Sequence, residues 1–184
     1  MQRDTYRETA LHVGAREGYC EIVKLLLGAS ADVESTDDDG RTPLSCAAAN
    51  GHLAVVEFLV KEARADVESK DSIYGRTPLS WAAANGHLEV VEFLVDEGGA
   101  DVESKDSIYG RTPLSCAAMN GHLEVVEFLV KEAGADVESK DNNGNTALDL
   151  ARRDGWGCRD PEGRKAVAAW LEGWESETRR RPKR

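Results

Sequence analysis

The chain has 184 residues, 41% of them hydrophobic and 31% charged, which suits one ordinary domain with an apolar core. No apolar stretch approaches the ~20 residues that a membrane span needs, and no signal-peptide segment opens the chain, so we expect an intracellular, cytoplasmic protein without membrane contact. The net charge is -11, and without the basic residues 179–184 it falls to 18 minus 34, or -16, which argues against nucleic acid as a partner of the main body.

One motif returns five times along the chain. Residues 71–105 and 106–140 differ at only four positions, and the threonines that mark successive copies are 33, 35, 35 and 34 residues apart. They are Thr9, Thr42, Thr77, Thr112 and Thr146. Because self-similarity at this period is typical of stacked repeats, the sequence predicts an α-helical repeat solenoid whose function lies on an extended surface.

The predicted units follow one another in chain order. They are residues 1–35, 36–70, 71–105, 106–140 and 141–174, with a charged tail at 175–184. The first unit lacks a full loop before its threonine, so it is either a cap or part of a longer array. We expect its open side to be more polar than the sides buried between repeats. For the basic tail, nuclear import, docking on an acidic surface and a disordered terminus stay open, with the last favoured.

Each complete unit predicts two helices and a loop. In residues 71–105, Thr77 is expected to cap a short helix that begins at Pro78 and ends at Gly86. After His87, apolar residues recur at helical spacing with glutamates opposite them, which indicates a second, amphipathic helix with an acidic outer side. The next unit then opens with a projecting hairpin loop closed by glycine.

The last unit departs from this pattern. Its first helix is expected to run from Thr146 to Arg153, and Asp160 followed by Pro161 opens a second one after an insertion. Three tryptophans are expected to seal the open end of the stack, with a peptide-binding aromatic box as the alternative. They are Trp156, Trp170 and Trp174.

The repeated order of hairpin, T-P-L-x-x-A-A, G-H, amphipathic helix and G-A-D-V resembles the ankyrin repeat over residues 5 to about 174. This resemblance implies helix-turn-helix units with β-hairpin fingers, and a concave groove of fingers and inner helices that binds other proteins. The motif histidine survives only as His12, while Ser45, Ser80 and Ser115 replace it elsewhere, so its hydrogen bonds must be partly remade or lost. The middle copies also resemble the C-terminal ankyrin tracts of fungal NACHT-type receptors, which implies a sensor or regulatory fragment.

Motifs that carry chemistry are missing from the chain. No nucleophile–base pair, phosphate-binding loop or H-E-x-x-H string appears, so we expect neither enzyme activity nor a cofactor. His52, His87 and His122 occupy equivalent positions about 10 Å apart, the spacing of packed helices, and cannot share a zinc ion. We expect them to form hydrogen bonds at the turn between helices. The four cysteines form no C-x-x-C pair, which predicts reduced, mostly buried thiols.

The candidate partner-binding residues lie on the predicted fingers and inner helices. They are Arg41, Ile73, Tyr74, Arg76, Ala84, Asn85, Ile108, Tyr109, Arg111, Met119, Asn120, Asn142 and Asn143. The finger tyrosines offer large contact area with few rotors, or else they pack on the neighbouring finger and stiffen the row. The arginines either hold carboxylates or phosphates of a partner, or pair with acidic residues such as Asp71 and Asp106.

One inner-helix position is left out of this candidate set. It holds Cys46, Trp81 and Cys116, and the resemblance implies that the family keeps it in the core. The sequence as a whole favours a non-catalytic, monomeric module that binds an unidentified protein. A self-assembling protein, with weak end-to-end association of open repeat ends, and a receptor fragment are the alternatives.

Overall fold

The computed structural model describes residues 8–153 and 160–180, apart from the side chains of residues 175 and 177–180. These ranges contain ten helices. They are α1 Ala10–Arg16, α2 Cys20–Gly28, α3 Pro43–Ala49, α4 Leu53–Lys61, α5 Pro78–Asn85, α6 Leu88–Asp96, α7 Pro113–Asn120, α8 Leu123–Lys131, α9 Ala147–Arg152 and α10 Pro161–Arg180. None of the described helices has the length and apolar composition that crossing a bilayer would need.

Local sequence sets the ends of the inner helices, as the motif predicts. Thr77 has an extended backbone, its hydroxyl accepts the Ser80 N–H at 3.3 Å, and Pro78 opens α5. Gly86 ends the same helix in the left-handed conformation, with φ of 77°. The predicted cap, first helical residue and terminating glycine are all confirmed in this repeat.

The helices stack in two layers around one core. The inner helices α1, α3, α5, α7 and α9 contact one another in turn, and the outer helices α2, α4, α6 and α8 do the same. A single cluster of buried apolar side chains runs from Leu11 to Leu171 and joins all five helix pairs. The predicted α-helical repeat solenoid with a continuous apolar interior is therefore confirmed.

Successive fingers form a row joined by backbone hydrogen bonds. A backbone bond from Asp71 N–H to the Arg76 carbonyl closes one finger, and the Ser107 N–H of the next donates to the Tyr74 carbonyl at 2.7 Å. The same bond links the neighbouring fingers through Ser72 and Asn142. Since these few bonds build no ladder, the fingers are hydrogen-bonded turns, and the described residues contain no β-strand where the resemblance implied hairpin strands.

In repeats 2, 3 and 4, one histidine binds the repeat to the one before it. Nε2 of His52, His87 and His122 lies 2.8, 3.1 and 3.0 Å from a carbonyl oxygen at the end of the preceding inner helix. A carbonyl only accepts hydrogen bonds, so these Nε2 atoms carry the proton. Burial lowers the pKa of His122. The predicted hydrogen-bonding role of these histidines is confirmed.

A second link between repeats was not expected from the sequence. The carboxylates of Glu34, Glu68 and Glu103 each accept a backbone N–H of the following repeat, at 2.8 to 2.9 Å. Meanwhile Ser80 bonds the hydroxyl of Thr77 within its own repeat, whereas His12 reaches the Arg41 carbonyl of the next. Glutamates thus link neighbouring repeats both in repeat 1, which keeps the motif histidine, and in repeats 2 and 3, where serine has replaced it.

Helix α10 covers the C-terminal end of the stack. Its first turn is capped by Asp160, which accepts the Gly163 N–H at 2.9 Å, as predicted, and the helix packs on α7, α8 and α9. Trp170 and Trp174 stack with ring centroids 5.5 Å apart and lie against the core, while Trp156 falls outside the described residues. The helical backbone continues to Arg180, so residues 175–180 do not begin the disordered tail that the sequence favoured.

Candidate partner-binding surface

The finger of repeat 3 is held rigid by one buried aspartate. Oδ1 of Asp71 accepts the N–H groups of Ile73 and Tyr74, at 2.9 and 2.6 Å, and Oδ2 accepts that of Arg76 at 3.0 Å. The indole Nε1 of Trp81 donates to the same Oδ2 at 3.0 Å. These bonds fix the backbone of the finger and tie it to the inner helix α5.

An aromatic cluster with an arginine lies on this finger. The rings of Tyr74 and Trp81 meet edge to face with centroids 6.1 Å apart. The guanidinium carbon of Arg76 lies 4.9 Å from the centroid of each ring, within the range of a cation–π contact. Tyr74 is half-buried, whereas Ile73 beside it is exposed. The described structure therefore places an arginine against two aromatic rings next to an exposed apolar side chain.

Trp81 is the residue of this cluster that sequence reasoning missed. Its counterparts Cys46 and Cys116 are buried, as predicted, but the larger indole is only partly buried and extends to the finger. Burial raises the pKa of Cys46 to about 12 and also raises that of Cys116, which suits core thiols. The sequence did offer a signal for this residue. At this one position of the motif, repeat 3 has a tryptophan where repeats 2 and 4 have a cysteine.

Repeat 4 carries a simpler version of the cluster. The guanidinium carbon of Arg111 lies 4.4 Å from the ring centroid of Tyr109, which is exposed together with Ile108. Cys116 takes the place of the indole, and Oδ2 of Asp106 is a buried oxygen without a hydrogen-bond partner in the described structure. Nε of Arg111 lies 3.9 Å from Oδ2 of Asp141 in the next repeat, at the limit of an ion pair.

The arginine of repeat 2 is bound differently. Nε of Arg41 donates to Asp37 at 3.2 Å, and its Nη2 donates to Asp39 at 2.7 Å, both within its own finger. Pairing with finger carboxylates, one of the two expectations for the arginine row, therefore holds for Arg41. The carboxylates of Asp71 and Asp106 instead bond backbone N–H groups of their own fingers.

The aromatic and cation–π contacts of the two finger tyrosines lie within their own repeats. Tyr74 contacts Trp81 and Arg76, and Tyr109 contacts Arg111, all within the same repeat. Neighbouring fingers are joined by backbone hydrogen bonds and by the side-chain amide of Asn142. Each ring thus lies beside the arginine of its own repeat.

The remaining candidate residues differ in accessibility. Ala84 is buried and presents little side-chain area, whereas Met119, its counterpart in repeat 4, is half-buried. The Asn85 amide donates to the carbonyls of Ala49 and Trp81, at 3.0 and 3.1 Å.

The other asparagines of the set bind nearby backbone. The Asn120 amide donates to the Cys116 carbonyl at 2.9 Å, and that of Asn142 donates to Ile108 of the preceding finger at 3.1 Å. Asn143 is exposed at the tip of its finger, where its backbone N–H donates to Asp141.

Comparison with known proteins agrees with this architecture. A family model described as "Ankyrin repeats (3 copies)" matches residues 11–106 and 99–160. The mouse "Ankyrin repeat domain-containing protein 63" is 45% identical over 62 residues, 34% of this chain and 16% of that protein. Bovine "Protein fem-1 homolog A" is 43% identical over 67 residues, which are 36% of this chain and 10% of that protein.

A third relative, "Neurogenic locus notch homolog protein 1" of Xenopus tropicalis, is 38% identical over 69 residues, 38% of this chain and 3% of that protein. The chain thus matches a small part of the length of these relatives. None of the three is named as a NACHT-type receptor, and that narrower resemblance stays a prediction. The motif, the stacked helix pairs and the match of the family model lead to one conclusion, that the chain belongs to the ankyrin-repeat family.

Proposed function

We propose that this protein captures a segment of a partner protein on the finger surface of repeats 3 and 4. We define that surface by Ile73, Tyr74, Arg76 and Trp81 in repeat 3, with Ile108, Tyr109 and Arg111 in repeat 4. The observation that carries the proposal is Arg76, whose guanidinium lies 4.9 Å from both the Tyr74 and the Trp81 ring. Ankyrin repeats are generally protein–protein interaction modules, which agrees with a protein partner.

The residue types of the finger surface support this assignment. Tryptophan, tyrosine and arginine are enriched among residues that dominate binding energy. The stacked Arg76 side chain has already lost part of its rotational freedom, so ordering it on binding costs less. Arg41 contributes less, because Asp37 and Asp39 already neutralise it within its own finger.

The inner helices supply the floor of the proposed surface. Met119 is an adaptable apolar contact beside the finger of repeat 4. Asn85 and Asn120 are held by bonds to helix carbonyls and keep an amide oxygen for a partner's backbone N–H. Asn142 and Asn143 extend the row of fingers by polar contacts, which suits the rim of an interface.

The test compares three forms of the chain as bait in affinity capture from the native cell. The double variant Tyr74→Ala/Tyr109→Ala is expected to lose the captured partner, because each tyrosine of this kind contributes about 2 kcal/mol or more to binding. Its thermal unfolding should barely move, since neither ring belongs to the core cluster.

A matched control separates this surface from a general loss of binding. Glu89 and Glu124 occupy equivalent exposed positions in the same two repeats, on the outer helices. The Glu89→Ala/Glu124→Ala variant should therefore keep the partner. Equal capture by the tyrosine variant and the unmodified chain would overturn the proposed site, as would loss of capture by both variants.

A further inference from the structure

The arginine that follows the finger glycine is paired with two carboxylates in repeat 2 and with none in the described structure of repeat 3. Arg41 binds Asp37 and Asp39 of its own finger. Tyr74 stands in repeat 3 where Asp39 stands in repeat 2, directly before the glycine, and its ring lies against Arg76. The exchange of an aspartate for a tyrosine thus replaces an ion pair by a cation–π contact and leaves the charge of Arg76 without a carboxylate.

Arg111 in repeat 4 has a weak carboxylate contact. Its Nε atom lies 3.9 Å from Oδ2 of Asp141, and that oxygen already accepts the Asn145 amide at 3.0 Å. Nε of Arg111, like Nε of Arg76, is buried without a hydrogen-bond partner in the described structure. A carboxylate that approaches either arginine from outside would therefore meet the terminal Nη1 and Nη2 atoms, a fork that matches its two oxygens.

The fingers of repeats 3 and 4 are positively charged, although the protein as a whole is acidic. Residues 70–76 hold two basic residues against one aspartate, a net charge of 2 minus 1, or +1, and residues 105–111 have the same composition. The matching residues 36–41 hold one arginine against three aspartates, or -2. Because charges across an interface are complementary, the fingers of repeats 3 and 4 fit an acidic partner.

The separation of the two arginines limits the form of this partner. Equivalent positions in neighbouring repeats lie about 10 Å apart, the packing distance of helices, so one carboxylate or phosphate cannot reach both guanidinium groups. A polyproline II segment has three residues per turn and rises about 3.1 Å per residue. Side chains three residues apart therefore lie on one side of it, about 9 Å from each other. A β-strand would place the same two side chains on opposite faces.

We infer that the partner segment held by repeats 3 and 4 is acidic and adopts a polyproline II conformation, with two carboxylate side chains three residues apart. Arg76 holds one carboxylate and Arg111 holds the other, each through the end of its guanidinium. The residues between them lie against the rings of Tyr74 and Tyr109, because polyproline II segments dock on aromatic surfaces. This inference rests on the proposed function, since it names the chemistry of the segment bound at the same surface.

Three defined peptides test the charge and the spacing. The first carries Glu-Pro-Pro-Glu between flanking glycines, the second replaces both glutamates by glutamine, and the third carries Glu-Pro-Glu. In a titration of the full chain followed by NMR, the first peptide should shift backbone amide signals of the two fingers. It should bind about tenfold or more tightly than either of the others, since charge-assisted hydrogen bonds are stronger than neutral ones. Equal affinity of the acidic and neutral peptides, or of the two acidic peptides, would overturn the inference.

Variants of the chain separate the arginines from the rest of the surface. Arg76→Gln/Arg111→Gln should weaken binding of the first peptide by about tenfold or more. Arg76→Lys/Arg111→Lys keeps the charge without the fork and should bind it with intermediate affinity. Arg41→Gln is the matched control and should leave the affinity unchanged, because Asp37 and Asp39 already hold that arginine. An equal loss with Arg41→Gln would contradict the assignment.

Affinity capture with the same variants distinguishes this inference from the proposed function. The glutamine variant should lose the captured partner, as the tyrosine variant does, while its thermal unfolding stays near that of the unmodified chain. If the tyrosine variant loses the partner and the glutamine variant keeps it, the finger surface stands and the acidic segment is wrong. A partner that both variants keep would overturn the finger surface itself.

Discussion

Repeats 3 and 4 form an internal experiment, because they differ at only four of their positions. The replacements from repeat 3 to repeat 4 are Trp81 to Cys116, Ala84 to Met119, Asp96 to Lys131 and Gly98 to Ala133. Their helices and finger bonds are nearly the same. Oδ2 of the finger aspartate, however, accepts a side-chain hydrogen bond in repeat 3 and none in the described structure of repeat 4. The comparison teaches that near-identical sequence reproduces the backbone, while side-chain support depends on single residues and on what packs next to the repeat.

The side chain that donates a hydrogen bond to the finger aspartate differs from repeat to repeat. Oδ2 of Asp37 receives the Arg41 side chain, and Oδ2 of Asp141 receives the Asn145 amide at 3.0 Å. In repeat 3 the Trp81 indole has this role. Three repeats thus use three different donors for one carboxylate oxygen, and repeat 4 provides none in the described structure.

The largest expected difference between the two repeats concerns the glycines that end their inner helices. Both adopt positive φ, so alanine should cost about 1 to 2 kcal/mol at either position. At Gly121 an added Cβ would also meet backbone atoms of α10, 2.7 Å from the Arg164 nitrogen. We expect Gly121→Ala to lower the free energy of unfolding by about 1 to 3 kcal/mol more than Gly86→Ala, measured by urea denaturation.

Gly86→Ala is the matched control in this pair. Its Cβ would meet Nδ1 of the His122 ring at 2.5 Å, and a side chain can move where a helix backbone cannot. The His122 bond to the Ala84 carbonyl should weaken as the ring moves. Equal losses for the two variants would show that α10 does not pack against the end of α7 as described.

Trp81→Phe should have an intermediate effect on the free energy of unfolding. Phenylalanine keeps a ring beside Tyr74 and Arg76 but removes the donor to Asp71, so the finger of repeat 3 comes to resemble that of repeat 4. We expect the free energy of unfolding to fall by about 1 kcal/mol, the usual net value of one hydrogen bond. Urea denaturation measures this loss.

A control for the tryptophan variant lies in the cap. Trp170→Phe changes the same residue type at a ring that stacks on Trp174. Combining Trp81→Phe with Asp71→Asn should show coupling between the two positions, while Trp170→Phe with Asp71→Asn should be additive. Additivity in both pairs would contradict a structural bond between the indole and Asp71.

The smallest expected effects come from the last turn of the outer helices. Lys131 pairs with Glu127 and lies 5.3 Å from the Trp170 ring centroid, whereas Asp96 places a negative charge at the C-terminal end of α6. Asp96→Lys would create the same Glu-to-Lys spacing with Glu92. It should raise the free energy of unfolding by about 0.5 kcal/mol in low salt.

The reverse change sharpens this last comparison. Lys131→Asp should cost about 1 kcal/mol, because it removes a cation–π contact as well as an ion pair. Added salt should shrink the gain of Asp96→Lys, since position 96 is exposed and Glu92 is only half-buried. A gain that is insensitive to salt would contradict the electrostatic explanation.

Most of the fold could be predicted from the residues alone. Thr77, Pro78 and Gly86 act within a single turn of helix, so their roles follow from local backbone chemistry. The repeat of those signals predicted five stacked units, and stacking predicted hydrogen bonds for His52, His87 and His122. The candidate finger residues were found in the same way, because Tyr74 and Tyr109 break a polar loop pattern.

Most of the features that sequence reasoning missed depend on a neighbour in space. Trp81 joins the finger because an indole is too large for the position that buries Cys46 and Cys116. Glu68 and Glu103 link repeats because the following backbone N–H happens to lie within reach. The length of α10 depends on helix formers beyond the last repeat and on no repeat signal.

By itself, then, the sequence determined the repeat, its helix ends and the order of the stack, since these depend on residues a few positions apart. Tertiary structure alone decided which side chains support each finger, how the C-terminal end is covered and that Ile22 and Leu25 are exposed in the first repeat, where a more polar side was expected. The physical reason is burial, because whether an apolar or polar side chain is satisfied depends on what packs beside it.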